Sequence, residues 1–275
     1  MKSAVNISLI PEISNTPHIP FGNFEEICKI ISDYGYDAVE LFPRSGKDIS
    51  VSEIKEITEA NNLKVCAFGT GAGKVLYGLT LTSPDKSVRK GAVSYISEII
   101  KVASNFNSLV IIGSMQGSVD GTIGRGQTTE WLTECLNELS NIACEYNVTL
   151  VFEPINRYES NFINSLGQGI ELIKNTGSNN IKLLADLFHM NIEERSVEQS
   201  IIQTASYIGH IHFADSNRLY PGLGHTDFSK VFKALHQIQF EGYLSVEAMV
   251  TNVHTDLQHA IAVFNAYAKN NILTK

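Results

Sequence analysis

Cysteine is scarce in this sequence, and its few residues do not show the spacing of a zinc site or of a redox pair. Cys28, Cys66, Cys135 and Cys144 stand far apart in apolar or helical segments, and no C-x-x-C pair is present. Isolated cysteines in such segments are typical of buried thiols in a reducing compartment. We therefore expect buried, unpaired thiols and a cytoplasmic location.

Long hydrophobic runs are also absent. The apolar stretch at residues 4–10 is interrupted by Asn6 and Ser8 and is ended by Pro11. This run is too short and too polar for a signal peptide, or for a membrane-spanning helix of about 20 apolar residues. The sequence therefore predicts neither a secretion signal nor a membrane anchor.

Positive charge is in deficit. The 21 lysines and arginines are outnumbered by 29 aspartates and glutamates, which gives a formal net charge of −8. Proteins that bind phosphodiester backbones or anionic membranes usually present a basic surface, because attraction to phosphate supplies much of their affinity. The charge balance therefore argues against nucleic acid and against membranes as partners.

What the sequence does contain is a regular alternation of short apolar runs and segments with helical spacing. Near-continuous apolar runs are typical of parallel strands that are buried on both faces. The predicted strands lie at residues 3–10, 37–42, 64–68, 108–113, 148–153, 181–185, 208–213 and 243–247. Helical spacing is found between them, most clearly at residues 24–34, 88–106, 128–146, 166–175, 197–207, 229–237 and 253–269.

These units predict one closed barrel. Eight strand-and-helix units without a proline- or serine-rich linker predict an α/β fold, a (β/α)₈ TIM barrel, as a single domain over residues 1–275. The length suits such a barrel, which needs about 250 residues. Ser52, Thr128, Ser165 and Ser196 are the expected N-caps of four of the helices. An open, doubly wound parallel sheet is the alternative fold.

Polar side chains close the last four predicted strands. In chain order they are Glu153, Asp186, His212 and Glu247, one on each strand. The active site of a TIM barrel lies at the carboxyl ends of its strands, so these four side chains should meet at one rim. His210 shares a strand face with His212 and is expected to be an ordinary core histidine.

Three carboxylates at one rim would repel one another strongly unless a cation lay between them. Oxygen ligands with one imidazole suit Mn²⁺, Mg²⁺ or Co²⁺ better than a structural zinc ion, which prefers cysteine and histidine. The sequence therefore predicts that the four rim residues bind one divalent metal ion.

The segments that carry these residues resemble the sugar isomerase/epimerase superfamily of xylose-isomerase-like barrels. The likeness covers most of the chain and includes residues 153–159 (EPINRYE), 186–191 (DLFHMN), 212–218 (HFADSNR) and 221–228 (PGLGHTDF). Within that superfamily the chain is most similar to ketose 3-epimerases of the tagatose/psicose type. That group includes a branch that epimerises keto-sugar acids such as 5-keto-gluconate.

The resemblance implies a role for each site residue. It makes the metal ligands Glu153, Asp186, His212 and Glu247, with Mn²⁺ as the expected ion. Glu153 and Glu247 would also be the catalytic acid and base. Three further residues would bind the substrate: Glu159, His189 and Arg218. Glu159 would in addition orient His189.

The resemblance also implies the reaction. A proton next to a ketone is removed through a metal-stabilised enediolate, and its return to the opposite face inverts the carbon. The chain is then a metal-dependent isomerase of carbohydrate metabolism, and its partner is a small-molecule sugar or sugar acid. Relatives are often dimers or tetramers, so a homo-oligomer is expected.

Other activities stay open. Aldose–ketose isomerisation, as in hydroxypyruvate isomerases, requires only that the proton return to the neighbouring carbon. Phosphodiester hydrolysis, as in AP endonucleases, requires a three-metal cluster with further histidines after the earlier strands. Near the ends of strands two to four the sequence has Glu40, Phe68 and Gly113 instead, and no histidine is close to them. His225 and Asp227 resemble part of that cluster in reversed order. Dehydration of an inosose and sugar binding without catalysis are the remaining alternatives.

Several residues have two interpretations. Glu40 is either a rim residue or part of a salt bridge. The glycine-rich loop 69–73 either approaches a ligand or makes a tight turn, and its spacing fits neither a P-loop nor a dinucleotide motif. Four cationic residues either meet an anionic substrate group or face solvent: Arg44, Arg125, Arg157 and Lys74. The sequence does not identify the sugar.

Overall fold

The computed structural model describes residues 1–13, 16–20 and 22–268. Each predicted apolar run forms a strand, with ends that differ from the prediction by two residues at most. The strands are β1 (Lys2–Ser8), β2 (Ala38–Phe42), β3 (Lys64–Gly69), β4 (Leu109–Ile112), β5 (Leu150–Phe152), β6 (Ile181–Asp186), β7 (Ile208–His212) and β8 (Tyr243–Val246).

The strands form one closed parallel barrel in chain order, and β8 pairs with β1. The single-domain TIM barrel is therefore confirmed, and the open doubly wound sheet is wrong. Parallel strands need crossover connections, and each βα unit here supplies one in the same direction. That the barrel domain extends over all of residues 1–275 stays a prediction, because residues 269–275 lie outside the described residues.

Helices lie between the strands. Within the described residues they are α1 (Phe24–Asp33), α2 (Val51–Ala60), α3 (Ala72–Tyr77), α4 (Lys86–Ala103), α5 (Arg125–Glu145), α6 (Leu166–Thr176), α7 (Leu187–Glu193), α8 (Val197–Gln203), α9 (Phe228–Gln237) and α10 (Val253–Ala268). Residue 269, the predicted end of the last helix, lies outside the described residues. None of these helices has the length and apolar character that crossing a bilayer requires.

The predicted helix starts are correct in two cases of four. Ser165 and Ser196 cap α6 and α8, each through a side-chain bond to a backbone N–H of the first turn. Ser52 lies inside α2, which is capped by Ser50. Thr128 lies in the first turn of α5, which begins three residues earlier. Two serines in close succession offer the same capping chemistry, so the sequence did not separate them.

The strands divide the core into two layers. On β2, Val39 and Leu41 belong to the large apolar cluster shared with the helices, whereas Ala38 belongs to a smaller cluster. Glu40 is also fully buried. Because successive strand residues point to opposite faces, Ala38 and Glu40 lie inside the barrel. The barrel interior is therefore apolar at one level and charged at the level nearer the carboxyl rim.

The cysteines are unpaired, as expected. Cys28, Cys66 and Cys135 are buried free thiols. Cys144 is also free but exposed, so the expectation of burial is wrong at this position. It lies in the last turn of α5, on a polar face that the helical spacing alone did not distinguish from the buried one.

Candidate metal centre and substrate cavity

Four side chains from consecutive strands meet at the carboxyl rim of the barrel. Glu153 directly follows β5, Asp186 and His212 are the last residues of β6 and β7, and Glu247 directly follows β8. One ligand-capable atom from each lies within 4.8 Å of the other three. Barrel closure thus brings together residues that are each separated by about one βα unit in the chain.

His212 lies at the centre of this group. Its Nδ1 atom is 3.4 Å from Glu153 Oε1, 3.6 Å from Asp186 Oδ2 and 3.4 Å from Glu247 Oε2. His212 Nδ1 and Asp186 Oδ2 are buried and have no hydrogen-bond partner within the described residues. An unpaired imidazole nitrogen that faces three carboxylate oxygens is a donor set suited to a divalent cation. The residues therefore fit the expected metal ion.

The three carboxyl groups differ in acidity. Burial raises the pKa of Glu153, although His212 opposes the shift. Burial also acts to raise the pKa of Glu247, but the positive charge of His212 and its neighbours outweighs burial and lowers it. Burial likewise acts to raise the pKa of Asp186, but the nearby His189, His212 and Arg218 side chains outweigh burial and hold it well below its usual range. Glu153 therefore holds a proton more readily than Glu247 does.

Gly113 makes room for Glu153. It directly follows β4, and a Cβ atom at this position would overlap the Oε2 atom of Glu153. The carboxylate can lie against the end of β4 only because residue 113 has no side chain. This contact is not indicated by the sequence, in which Gly113 is only a strand end that lacks a histidine.

Glu40 lies beneath the metal centre and accepts three hydrogen bonds. The donors are Asn6 Nδ2 at 2.5 Å, His210 Nε2 at 2.7 Å and His212 Nε2 at 3.1 Å. Burial acts to raise the pKa of Glu40, but the two histidines outweigh burial and hold it well below its usual range. Glu40 is therefore ionised, and an ionised carboxylate only accepts hydrogen bonds.

These bonds determine the tautomer of His212. Burial acts to lower the pKa of His212, but Glu247 and the other surrounding carboxylates outweigh burial and raise it well above its usual value, so without a cation the ring is protonated on both nitrogens. A bound cation would replace the Nδ1 proton, and the proton that remains would lie on Nε2, facing Glu40. Of the two interpretations of Glu40, the salt bridge is thus observed. His210 is the expected core histidine, because it is fully buried and bonded to the same carboxylate.

Cys66, Glu40 and His210 form a second group of ligand-capable atoms within 4.8 Å of one another. Their bonds are already made within the protein, because the Cys66 thiol donates to the carbonyl of Val39 at 3.3 Å and Glu40 bonds the histidine. Burial raises the pKa of the Cys66 thiol well above its usual value. A thiol that keeps its proton is a poor metal ligand, so this group is a hydrogen-bonded core cluster.

Asp186 connects the metal centre to His189. Its Oδ1 atom accepts from the backbone N–H groups of Phe188 at 2.7 Å and His189 at 3.4 Å, which caps α7. Its Oδ2 atom lies 3.6 Å from His189 Nε2, and Glu153 Oε1 lies 3.8 Å from the same nitrogen. The first turn of α7 therefore directs His189 into the site.

Asn156 holds the other side of the His189 ring. Its Nδ2 atom lies 2.7 Å from His189 Nδ1 and 2.9 Å from Glu159 Oε1. An amide nitrogen only donates, so His189 Nδ1 accepts and its proton lies on Nε2. Asn156 makes the direct contact with His189, so the orienting role of Glu159, which stays a prediction, would act through Asn156.

Arg218 enters the site from a turn after β7. Its backbone has the left-handed conformation, with φ 61°, which is uncommon for a residue other than glycine. The turn is held by bonds from Arg218 N–H to the Asp215 carbonyl and from Met249 N–H to the Arg218 carbonyl. The guanidinium lies 2.8 Å from Glu159 Oε1 and 3.6 Å from Glu247 Oε2, so it joins the outer rim to the centre.

These side chains border a cavity of about 240 Å³. A cavity of this size suits a ligand smaller than a typical drug molecule. Gly69 and Gly71 of the glycine-rich loop also line it. One side of the cavity is polar and is formed by Glu153, Glu159, His189, His212, Arg218 and Glu247. The other lining residues are mostly apolar and include Ile13, Pro17, His18, Phe42 and Val75.

Arg218 is the only arginine or lysine among the described residues that line this cavity. Three of the four cationic side chains that had two interpretations in the sequence bind protein groups outside the cavity. Arg44 and Arg157 form ion pairs with glutamates, and Arg125 donates to backbone carbonyls. Lys74 is not one of the lining residues. None of these four side chains therefore meets a ligand in the cavity.

The three-metal arrangement of a phosphodiester hydrolase is not formed by the described residues. His225 and Asp227 belong to neither group of ligand-capable atoms. The Asp227 side chain instead accepts from the backbone N–H of Lys230 and caps α9. These two residues therefore resemble part of such a cluster in sequence, but the structure does not place them in a metal-binding group.

Comparison with known proteins gives a consistent result. Residues 28–267 match the protein family described as "Xylose isomerase-like TIM barrel". The D-psicose 3-epimerase of Ruminiclostridium cellulolyticum is 31% identical over 201 residues, which cover 70% of this chain and 69% of that protein. The L-ribulose 3-epimerase of Mesorhizobium japonicum is 29% identical over 249 residues, 88% of this chain and 81% of that protein.

A solved structure shares the fold. The D-psicose 3-epimerase with D-tagatose from Clostridium cellulolyticum H10 matches with a TM-score of 0.79 and 23% identity over 98% of each chain. At this identity the match concerns the fold, and the closed eight-stranded barrel is common to both proteins.

Proposed function

We infer that this chain, which belongs to the xylose isomerase-like TIM barrel family, is a carbohydrate epimerase, an isomerase that inverts one carbon of a sugar. The relatives named above are 3-epimerases of ketoses. The proposed substrate is therefore a small-molecule ketose, and the proposed reaction inverts the carbon next to the ketone. The group of four ligand-capable side chains at the rim is the observation that carries this proposal.

The rim residues would hold one divalent cation. Glu153, Asp186 and Glu247 offer carboxylate oxygens and His212 offers Nδ1, a set that suits Mn²⁺, with Mg²⁺ and Co²⁺ as the other expected ions. When bound, the cation supplies positive charge that stabilises negative charge developing on the ketone oxygen. Glu40 supports binding by keeping the proton of His212 on the far nitrogen.

Glu153 and Glu247 would move the proton. They follow β5 and β8, and each has a carboxylate oxygen 3.4 Å from His212 Nδ1. Removal of a proton from one face of the sugar carbon and return of a proton to the other face inverts that carbon.

His189 and Arg218 would bind the substrate oxygens at the reacting end of the sugar. The proton on His189 Nε2 faces the site, because Asn156 occupies Nδ1. The Arg218 guanidinium is held by Glu159 and lies beside Glu247. Hydrogen bonds from both residues to the developing negative charge would assist proton removal.

An uncharged ketose fits the cavity better than a sugar acid or a phosphorylated sugar. Arg218 is the only arginine or lysine that lines the cavity in the described part of the chain. It is already paired with Glu159 and Glu247. Away from the proposed cation, a carboxylate or phosphate on the substrate would therefore meet no unpaired arginine or lysine among the described lining residues, which is electrostatically unfavourable.

We also expect a homo-oligomer, a dimer or tetramer, in the cytoplasm. The free thiols support a reducing compartment. Light scattering on the purified protein would measure the oligomeric state, and a single monomeric species would contradict the first expectation.

Turnover of free ketoses tests the proposed function. The protein would be incubated with Mn²⁺ and D-fructose, D-tagatose or L-ribulose in D₂O, and the products would be analysed by NMR. We expect the 3-epimer with deuterium at the inverted carbon, no product after chelation with EDTA, and a loss of at least about 100-fold in kcat for Glu153→Gln and Glu247→Gln.

The same experiment separates the alternatives. An aldose product with deuterium on the neighbouring carbon would support aldose–ketose isomerisation instead. A panel of keto-acids and phosphorylated ketoses serves as the control for substrate charge. Failure to convert any ketose with Mn²⁺, Mg²⁺ or Co²⁺ present would overturn the proposal.

A further inference from the structure

His18 is a buried histidine that lines the substrate cavity next to Glu247. It is 6% exposed, and its ring stacks on Phe42 with centroids 4.3 Å apart and planes at 23°. The next residue, Ile19, is joined to β1 by two backbone hydrogen bonds of 2.9 and 3.0 Å. The imidazole is therefore fixed in place by a ring contact and by its backbone.

The Nδ1 atom of His18 is buried and has no hydrogen-bond partner within the described residues. The carboxylate oxygen Oε1 of Glu247 lies 3.9 Å away, which is too far for a hydrogen bond. Burying a polar nitrogen without a partner is unfavourable, so native proteins rarely leave one unless a ligand or water completes the bond. His18 lines the cavity, and a substrate atom can reach it there.

The spacing between these two groups accommodates one hydroxyl oxygen. Two atoms 3.9 Å apart can both lie about 2.8 Å from a third atom, which is an ordinary hydrogen-bond length. A hydroxyl at that point would accept from the N–H of His18 and donate to the Glu247 carboxylate. The substrate hydroxyl would thus bridge His18 and Glu247, which are too far apart to hydrogen-bond each other directly.

The proposed reaction limits which hydroxyl this is. The ketone oxygen and the oxygen of the reacting carbon belong beside the metal ligands, His189 and Arg218, on the polar side of the cavity. Glu247 must lie next to the reacting carbon to move its proton. The hydroxyl that remains close to both Glu247 and His18 belongs to the next carbon along the chain, C4 of a ketose inverted at C3.

Other polar groups on this side of the cavity are less suited to the role. The Thr70 hydroxyl donates to the carbonyl of Ile111 at 2.7 Å. Phe42 and Val75 have no polar side-chain atom. Asn6 also lines the cavity with a buried, unpaired Oδ1 atom, but its amide nitrogen is bound to Glu40. His18 is the buried, fixed and unpaired group that lies within 3.9 Å of Glu247.

We propose that His18 is a substrate-binding residue whose Nδ1 hydrogen-bonds the 4-hydroxyl of the ketose and so selects the configuration at C4. This inference rests on the proposed function, because it places the reacting carbon beside Glu247. It adds a specificity determinant to the substrate contacts proposed for His189 and Arg218.

Two ketoses that differ only at C4, D-fructose and D-tagatose, provide the test. Wild-type protein should prefer one of them, and His18→Leu should lower kcat/KM for the preferred sugar by about tenfold or more, mainly through KM. The ratio between the two sugars should then approach one. His18→Asn, which keeps a side-chain N–H near the position of Nδ1, should restore part of the preference.

A substrate without the 4-hydroxyl separates binding from structure. For 4-deoxy-D-fructose, wild type and His18→Leu should have equal kcat/KM, because the contact is missing in both. Equal losses on D-fructose and on the deoxy sugar would overturn the inference and assign His18 a structural role. If His18→Leu does not fold, as judged by circular dichroism, the comparison of wild type with His18→Asn on the two sugars decides.

Two controls complete the design. His254→Leu alters an exposed histidine on α10 and should leave all rates unchanged. Mn²⁺ binding, measured by electron paramagnetic resonance, should be the same for wild type and His18→Leu, because the ligand atoms are untouched. An inactive wild-type protein would contradict the proposed function itself, whereas an active wild type with unchanged His18 variants would contradict only this inference.

Discussion

The Nε2 atom of His212 lies 3.1 Å from Oε1 of Glu40, on the opposite side of the ring from the three rim carboxylates. A charge buried inside the barrel thus determines which nitrogen of this histidine is free to bind a metal ion. Partners of this kind orient metal-binding histidines and increase their basicity.

Glu40→Gln should therefore weaken metal binding while leaving the four ligands in place. We expect the Kd for Mn²⁺, measured by electron paramagnetic resonance, to increase about 10- to 100-fold. His210→Gln is the matched control, because it removes the other histidine bonded to Glu40 and leaves the His212 bond intact. An unchanged Kd in Glu40→Gln would show that the buried carboxylate has no influence on the metal site.

Gly113→Ala should damage catalysis more than stability. A methyl group at this position overlaps Glu153 Oε2, so the carboxylate has to move. We expect kcat to fall by about tenfold or more, because small displacements of a catalytic group are costly. Gly121→Ala, where an added Cβ meets nothing within 4 Å, is the control. Wild-type kcat in Gly113→Ala would contradict the importance of this close approach.

Asn156→Ala should affect the substrate contacts of His189 without affecting the metal ion. The change removes the donor that holds His189 Nδ1 and the bridge to Glu159. We expect kcat/KM to fall by about tenfold, with Mn²⁺ affinity unchanged. Asn141→Ala, on the exposed surface of α5, is the control for loss of an asparagine. A parallel loss of metal affinity would indicate that Asn156 supports the whole site instead.

Asp215 links stability to pH. Its carboxylate accepts from the backbone N–H groups of Ser216, Gly222 and Thr226 at 2.7 to 2.9 Å. Burial acts to raise the pKa of Asp215, but these backbone bonds outweigh burial and lower it. A lowered folded-state pKa gives stability that is present above the unfolded value of about 3.9 and is lost as the pH falls through the folded value.

Asp215→Asn should therefore be less stable than wild type at pH 7, by about 2 kcal/mol. The difference should shrink as the pH falls below 4, and urea unfolding at several pH values would measure it. Asp120→Asn, at an exposed turn, should show a much smaller difference. A stability difference that does not depend on pH would rule out the charge of Asp215 as the cause.

The barrel and the meeting of four polar side chains at its rim were predictable because both depend on local patterns. Each apolar run was long enough to indicate a strand, and the direction of parallel strands places residues such as Glu153 and Glu247 at one rim. The short helices α3 and α7 were not predicted, since six or seven residues contain fewer than two full helical turns and show no clear spacing.

The supporting residues could not be predicted from the sequence. The contact of Glu40 with His212 depends on two strands that are not adjacent in the barrel, and the Gly113 contact depends on the direction of the Glu153 side chain. His18 and Asn156 lie in loops where polar residues are common. Only the packed structure shows that one is unpaired and the other bonded to a site residue.

The two oxygens of Asp186 have separate tasks, because one caps α7 and the other faces the metal centre. Asparagine at this position would keep the cap and lose the charge, whereas the longer glutamate side chain would keep the charge and misplace the cap. Laboratory selection for a different metal preference is therefore expected to accept a replacement at His212, which neither moves the proton nor caps a helix, before it accepts one at Asp186.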